Sequence, residues 1–127
     1  MIRAARGAIQ VASDSREVIH EAGTRLVRAV LEANGLVESN LVSLVFSLTA
    51  DLRSGNPATG LRGQGFAEVP LFCVQEASVE GSMARVIRLL ATFEAPASWT
   101  ETGRTRAEAV YLEGARALRP DLSKGPA

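Results

Sequence analysis

Apolar and polar positions alternate with a period of two in several stretches of the chain and with a helical period in one long stretch. Ile2 to Val11 reads as a strand with Ile2, Ala4, Arg6 and Ala8 on one face. After it, Val18, Ala22, Leu26, Val30 and Ala33 step at helical spacing, widened by Ile19, Val27 and Leu31. Glu17, Glu21, Arg25, Arg28 and Glu32 fill the opposite face, with Glu21 and Arg25 placed for an i,i+4 pair. Ser13 or Asp14 is the expected N-cap, supported by Glu17, and Asn34-Gly35 the expected C-terminal stop.

Three more strands follow. Val42 to Thr49 alternates Val42, Leu44, Phe46 and Leu48 with Ser43, Ser47 and Thr49, so it has a core face and a polar face. Val69 to Glu76 and Val86 to Glu94 are the others. Between strands, Asp51 to Gly65 reads as loop, with a short helix from Pro57 to about Leu61 capped by Asn56. Glu80-Gly81-Ser82 opens a short turn or helix, and residues 95–104, with Pro96 and Gly103, read as surface loop. Thr105 to Ala117 is expected to be helix, although Val110-Tyr111 suits a strand start. Strands and helix mix as in an α/β or α+β sheet protein, with one domain over 1–122 and a flexible tail over 123–127.

Composition narrows the function more than the fold. The 127 residues carry 14 basic and 14 acidic side chains, a balance that disfavours a general nucleic-acid or membrane-surface binder. The lone Cys and lone His leave no disulfide and too few ligands for a protein zinc site. No phosphate-binding glycine loop follows a strand, and no apolar run approaches the roughly 20 residues that span a bilayer. The N-terminus lacks a signal-peptide pattern, so a cytoplasmic location is expected, in keeping with the single thiol.

The chemistry-bearing anomaly is Arg88. Ile87, Leu89, Ala91 and Phe93 form a wholly apolar face, whereas Arg88 shares the other face with Val86, Leu90 and Thr92. A guanidinium keeps its charge, so it requires an anion: a bound ligand, or a carboxylate within the fold. Arg6, Arg62 in a Gly-rich loop and Arg119 before Pro120 are similarly placed, which together points to a small carboxylate-bearing ligand. Cys73 and Glu76 have opposite parity on their strand, so a regular strand sends them to different pockets. Cys73 also suits a plain buried hydrophobic position.

Ile2-Arg-Ala-Ala-Arg-Gly-Ala8, Val69-Pro-Leu-Phe-Cys-Val-Gln-Glu76, Arg85-Val-Ile-Arg88, Val110-Tyr-Leu112 and Leu118-Arg-Pro-Asp-Leu122 occur in this order. Read together, these blocks make the chain resemble the AroH class of monofunctional chorismate mutases across nearly its whole length. The resemblance implies a chorismate mutase II-like pseudo α/β-barrel, a mixed sheet with one long helix and a short C-terminal helix. It also implies a homotrimer with active sites between subunits, and no cofactor.

The implied reaction is the pericyclic rearrangement of chorismate, a dianion, to prephenate in aromatic amino-acid synthesis. Positions matching Arg6, Glu76, Arg88 and Tyr111 would come from one subunit, and those matching Cys73, Thr59 and Leu118 from its neighbour. Arg88 would stabilise the ether oxygen, Arg6 and Tyr111 would bind a carboxylate, and Glu76 and Cys73 would hold the ring hydroxyl. Arg62 and Arg119 would lie near the entrance. Asn56 stands where the family has Phe, which leaves open a related dianion, such as isochorismate or aminodeoxychorismate, as substrate. A non-catalytic trimeric carboxylate-binding protein is the third reading.

Overall fold

The computed structural model describes residues 1–121; Leu122 and the tail expected over 123–127 lie outside the described residues. Five strands form one mixed sheet: β1 (Ile2–Gln10), β2 (Leu41–Leu48), β3 (Leu71–Gln75), β4 (Val86–Glu94) and β5 (Val110–Leu112). Their order is β3-β2-β4-β1-β5, with β4 antiparallel to both neighbours and both edge pairs parallel. The helices are α1 (Arg16–Asn34), α2 (Pro57–Arg62) and α3 (Ala97–Thr102), with 3-10 turns at Glu38–Asn40 and Glu113–Leu118. This is an α+β arrangement, and among the described residues no helix is long and apolar enough to cross a membrane.

The period-two pattern decides which face is core. Ile87, Leu89, Ala91 and Phe93 are each 3% exposed or less. Leu44 and Phe46 of β2 lie directly opposite Ala91 and Leu89 on that face, and α1 packs over it with Ile19, Leu26, Val27 and Val30 buried. The helix starts at Ser15, whose Oγ accepts from Val18 N, rather than at Ser13 or Asp14. Asp14 is engaged elsewhere: its carboxylate accepts the backbone N–H groups of Arg53 and Ser54. Gly35 ends α1 at φ 63°, a conformation that costs glycine little. Arg25 pairs with Glu113 at 2.9 Å instead of the expected Glu21.

Short α2 lies directly on α1. A Cβ added at Gly60 would sit 2.6 Å from His20 Cβ and 2.9 Å from its Cα, so only glycine permits this approach.

Three further expectations are corrected. Val42 is 45% exposed, because a register shift between Leu41 and Ser43 turns Leu41, not Val42, toward the core. The stretch 95–104 is not plain surface loop: it contains α3, whose Trp99 is 2% exposed and meets Phe93 edge-on at 5.4 Å. Thr105 to Ala117 is not an α-helix. Its middle is β5, paired parallel to Gly7–Ile9, and a left-handed Glu113 at φ 54° then turns the chain into the 3-10 segment. That segment is the short C-terminal helix expected from the resemblance.

Candidate active site

Because the side-chain period of a strand is two, the face of β4 opposite the core carries Arg88 and Leu90. Register extends that face across the sheet. Arg88 lies between Ser47 of β2 and Ala8 of β1, and Ala8 in turn lies beside Tyr111 of β5. Leu90 lies between Val45 and Arg6. A cleft of about 300 Å³ opens here, lined by Arg6, Val45, Ser47, Arg88, Leu90, Tyr111 and Arg119 among others.

Four of the expected site residues therefore meet in one chain. Tyr111 is 7% exposed, held by Ala8, Val86 and Ala115, and its hydroxyl makes no hydrogen bond among the described residues. Arg119 is held by Asp121 through two contacts of 3.1 and 3.0 Å. The hydrogen bond to that carboxylate pushes the Arg119 pKa further up.

Arg88 is only half-buried, and its anion is partly internal: Nε lies 2.9 Å from Glu76 Oε1. The two open readings of Arg88 thus converge, because an intrachain carboxylate is present and yet does not satisfy the guanidinium. The Nε–H is misaligned for a hydrogen bond to Glu76, and the buried nitrogen is left without an acceptor. That nitrogen is closed to solvent and so to a ligand. The Nη groups of the half-exposed side chain, by contrast, make no hydrogen bond among the described residues and are the donors a ligand can reach.

Glu76 follows β3 and is not itself a wall of the cleft. Its carboxylate reaches two residues that are, Arg88 and Ser47, and Ser47 Oγ donates to Oε2 at 2.5 Å. Ser47 was legible in the sequence only as a polar-face residue of β2. Its register opposite Arg88 is what marks it, and that pairing is not readable from a single strand.

The remaining expected residues are elsewhere. Cys73 pairs with Phe46 and so faces the core side, as its parity required. It lines a separate recess of about 360 Å³ together with Asn56, Arg53 and Thr49. Burial pushes the Cys73 thiol pKa up, away from a thiolate. Asn56 is the N-cap of α2, its Oδ1 accepting from Ala58 N at 2.9 Å.

Thr59 is exposed on α2, and Arg62 is exposed in its last turn rather than in a loop. Leu118, assigned by resemblance to the neighbouring subunit, packs in this chain against the cluster containing Tyr111. One chain thus presents a guanidinium-rich cleft on one side of its sheet. The Cys73 recess opens on the other.

The chain matches the family model "Chorismate mutase type I" over residues 2–122. It is 43% identical over 123 residues to chorismate mutase AroH of Thermus thermophilus, covering 96% of this chain and 97% of that protein. It is 35% identical over 124 residues to chorismate mutase AroH of Bacillus subtilis, covering 97% and 94%. Its structure resembles a chorismate mutase from Clostridium thermocellum with a TM-score of 0.78 at 29% identity, covering 90% of this chain and 97% of the other. With its fold, its cleft and its full-length relatives in agreement, this chain belongs to the type I chorismate mutase family.

Proposed function

We propose that this protein is a chorismate mutase that converts chorismate to prephenate in the cleft around Arg88. The observation that carries the reading is the convergence in one cleft of Arg6, Arg88 and Arg119 with the Tyr111 hydroxyl, which makes no hydrogen bond among the described residues. A dianion suits such a cleft, and the rearrangement needs no nucleophile. It needs the substrate held in its folded conformer and negative charge stabilised on the ether oxygen as the carbon–oxygen bond breaks.

Arg88 is the residue to supply that stabilisation. Its position is fixed by the central strand and by Glu76, so little reorganisation accompanies the charge. Arg6, which has no partner among the described residues, binds a substrate carboxylate with the Tyr111 hydroxyl. Arg119 closes the entrance. Glu76, partly exposed beside the cleft walls Arg88 and Ser47, accepts from the ring hydroxyl with lone pairs that Ser47 leaves unused.

The assembly is a homotrimer in which the Cys73 recess of one chain faces the Arg88 cleft of the next, bringing Thr59 and Arg62 toward the substrate. Exposed apolar side chains surround the cleft face in support: Phe72 is 66% exposed, Ile2 52% and Leu90 49%. The single thiol fits a cytoplasmic location. Capping of α2 occupies Asn56 Oδ1 but leaves its Nδ2 donors available, so a substrate with an altered ring is the alternative that the assays separate.

Loss of chorismate absorbance with purified protein, and acid conversion of the product to phenylpyruvate, test this reading. No turnover above the uncatalysed rate at high enzyme concentration overturns it. Parallel assays with isochorismate and aminodeoxychorismate check the substrate.

A further inference from the structure

Ser47 carries a hydroxyl into the cleft at the position directly opposite Arg88 in the β2–β4 pair. The hydroxyl does not stand alone. It donates to Glu76 Oε2 at 2.5 Å, the short end of the range for an O–H bond to an ionised acceptor. The other carboxylate oxygen, Oε1, is the one beside Arg88 Nε. The main chain of Glu76 is held from the same strand, its N–H donating to the Leu48 carbonyl at 2.8 Å. Strand β2 therefore fixes Glu76 at two points, one on the backbone and one on the side chain.

This double hold has a consequence for Arg88. Among the described residues Glu76 is the only carboxylate within ion-pair reach of that guanidinium. The Arg88 side chain is long and 41% exposed, and the misaligned Nε contact leaves it no aligned hydrogen bond to Glu76 through that nitrogen. What holds the guanidinium in one direction is therefore the charge attraction to Oε1 at 2.9 Å, so it follows the Glu76 carboxylate. A glutamate has a soft terminal torsion, so without a second anchor its plane turns and the arginine follows. Ser47 is that second anchor.

We propose that Ser47 is a positioning residue, orienting Glu76 through Oε2 so that Oε1 fixes the Arg88 guanidinium for the transition state. The inference rests on the reading of the cleft as a chorismate mutase site. It predicts a loss in kcat, because an unsteady Arg88 forfeits charge stabilisation as the ether bond breaks. KM stays close to normal, because Arg6 and Tyr111 still bind the carboxylate.

The test compares Ser47→Ala, Ser47→Thr, Glu76→Ala and the Ser47→Ala/Glu76→Ala double variant in the full chain. Ser47→Ala is expected to lose roughly tenfold in kcat with KM changed by less than about twofold, the scale of one hydrogen bond to a charged group. Ser47→Thr keeps the hydroxyl and recovers most of the rate. In the Glu76→Ala background the Ser47→Ala change costs nothing further. An unchanged kcat in Ser47→Ala, a rise in KM alone, or the same tenfold loss without Glu76 overturns the proposal.

The same four proteins give a double-mutant cycle in urea unfolding that needs no substrate. A coupling between Ser47 and Glu76 is expected there, and its absence also overturns the proposal. Inactivity of the wild-type protein toward chorismate is a different result. It removes the functional reading and leaves the unfolding cycle to decide whether Ser47 orients Glu76.

Discussion

Trp99 Nε1 donates to the main-chain carbonyl of Asn34 at 2.9 Å, joining α3 to the end of α1. Asn34 is fully buried and its side chain is fully used: Nδ2 donates to the Val30 and Glu108 carbonyls, and Oδ1 accepts from Arg104 Nη2 and Glu108 N. Arg104 also lies 4.4 Å above the Trp99 ring. Asn34→Ala should therefore cost about 3 kcal/mol of stability, since it strands several buried partners at once. Urea unfolding followed by Trp99 fluorescence measures this. The indole is the chain's only Trp, and its environment reports on the same junction.

That junction also shows where sequence reasoning stops. Strands β1, β2 and β4 and helix α1 were legible because each buries one face and so writes its own period into the chain. The segment after β4 has no such period. Strand β5 is three residues long and exists only through its parallel pairing with β1, more than 100 residues earlier. The site was half legible for the same reason. Parity separated Cys73 from Glu76 and Arg88 from the core, but Ser47 acquires meaning only from the β2–β4 register. The N-cap was misplaced because Asp14, with Glu17 at capping-box spacing, is recruited by a loop some forty residues away.

Arg88→Lys tests whether charge alone suffices at the centre of the cleft. An ammonium is a point charge without the planar fork that serves Glu76 and a ligand together. Both Arg88→Lys and Arg88→Ala are expected to lose at least about a hundredfold in kcat, on the order of 3 kcal/mol in barrier. Cys73→Ser should only weaken activity, because its thiol is kept protonated by burial and is not required as a nucleophile. Equal losses in steady-state assays of the arginine and cysteine variants contradict these roles.

Asn56 separates a capping role from a substrate contact. Its side chain satisfies Ala58 N at the start of α2, so Asn56→Ala should cost about 1 kcal/mol of stability, while Asn56→Asp or Asn56→Ser should cost little. Asn56→Phe should show the same loss, because the aromatic ring cannot accept that hydrogen bond. Thermal unfolding midpoints measured beside kcat/KM decide the matter. A fall in kcat/KM for Asn56→Asp at unchanged stability shows instead that the amide touches substrate.

Phe72 tests the proposed assembly through the side chain with the most to gain from it. It is 66% exposed on edge strand β3, next to Val74 at 41%, and its register row runs through Val45 and Leu90 to Arg6. Phe72→Asp removes little burial within its own chain, so the monomer fold and its far-UV spectrum should be preserved. Burying a charge against a neighbour's apolar surface, by contrast, opposes association. Light scattering should report a trimer for the wild type and a smaller species for Phe72→Asp. Activity should fall with assembly and recover in part at high protein concentration, as expected when the cleft needs the next chain's Cys73 side to complete it. A Phe72→Asp monomer with full activity shows that the cleft on one chain suffices, and a monomeric wild type removes the shared site altogether.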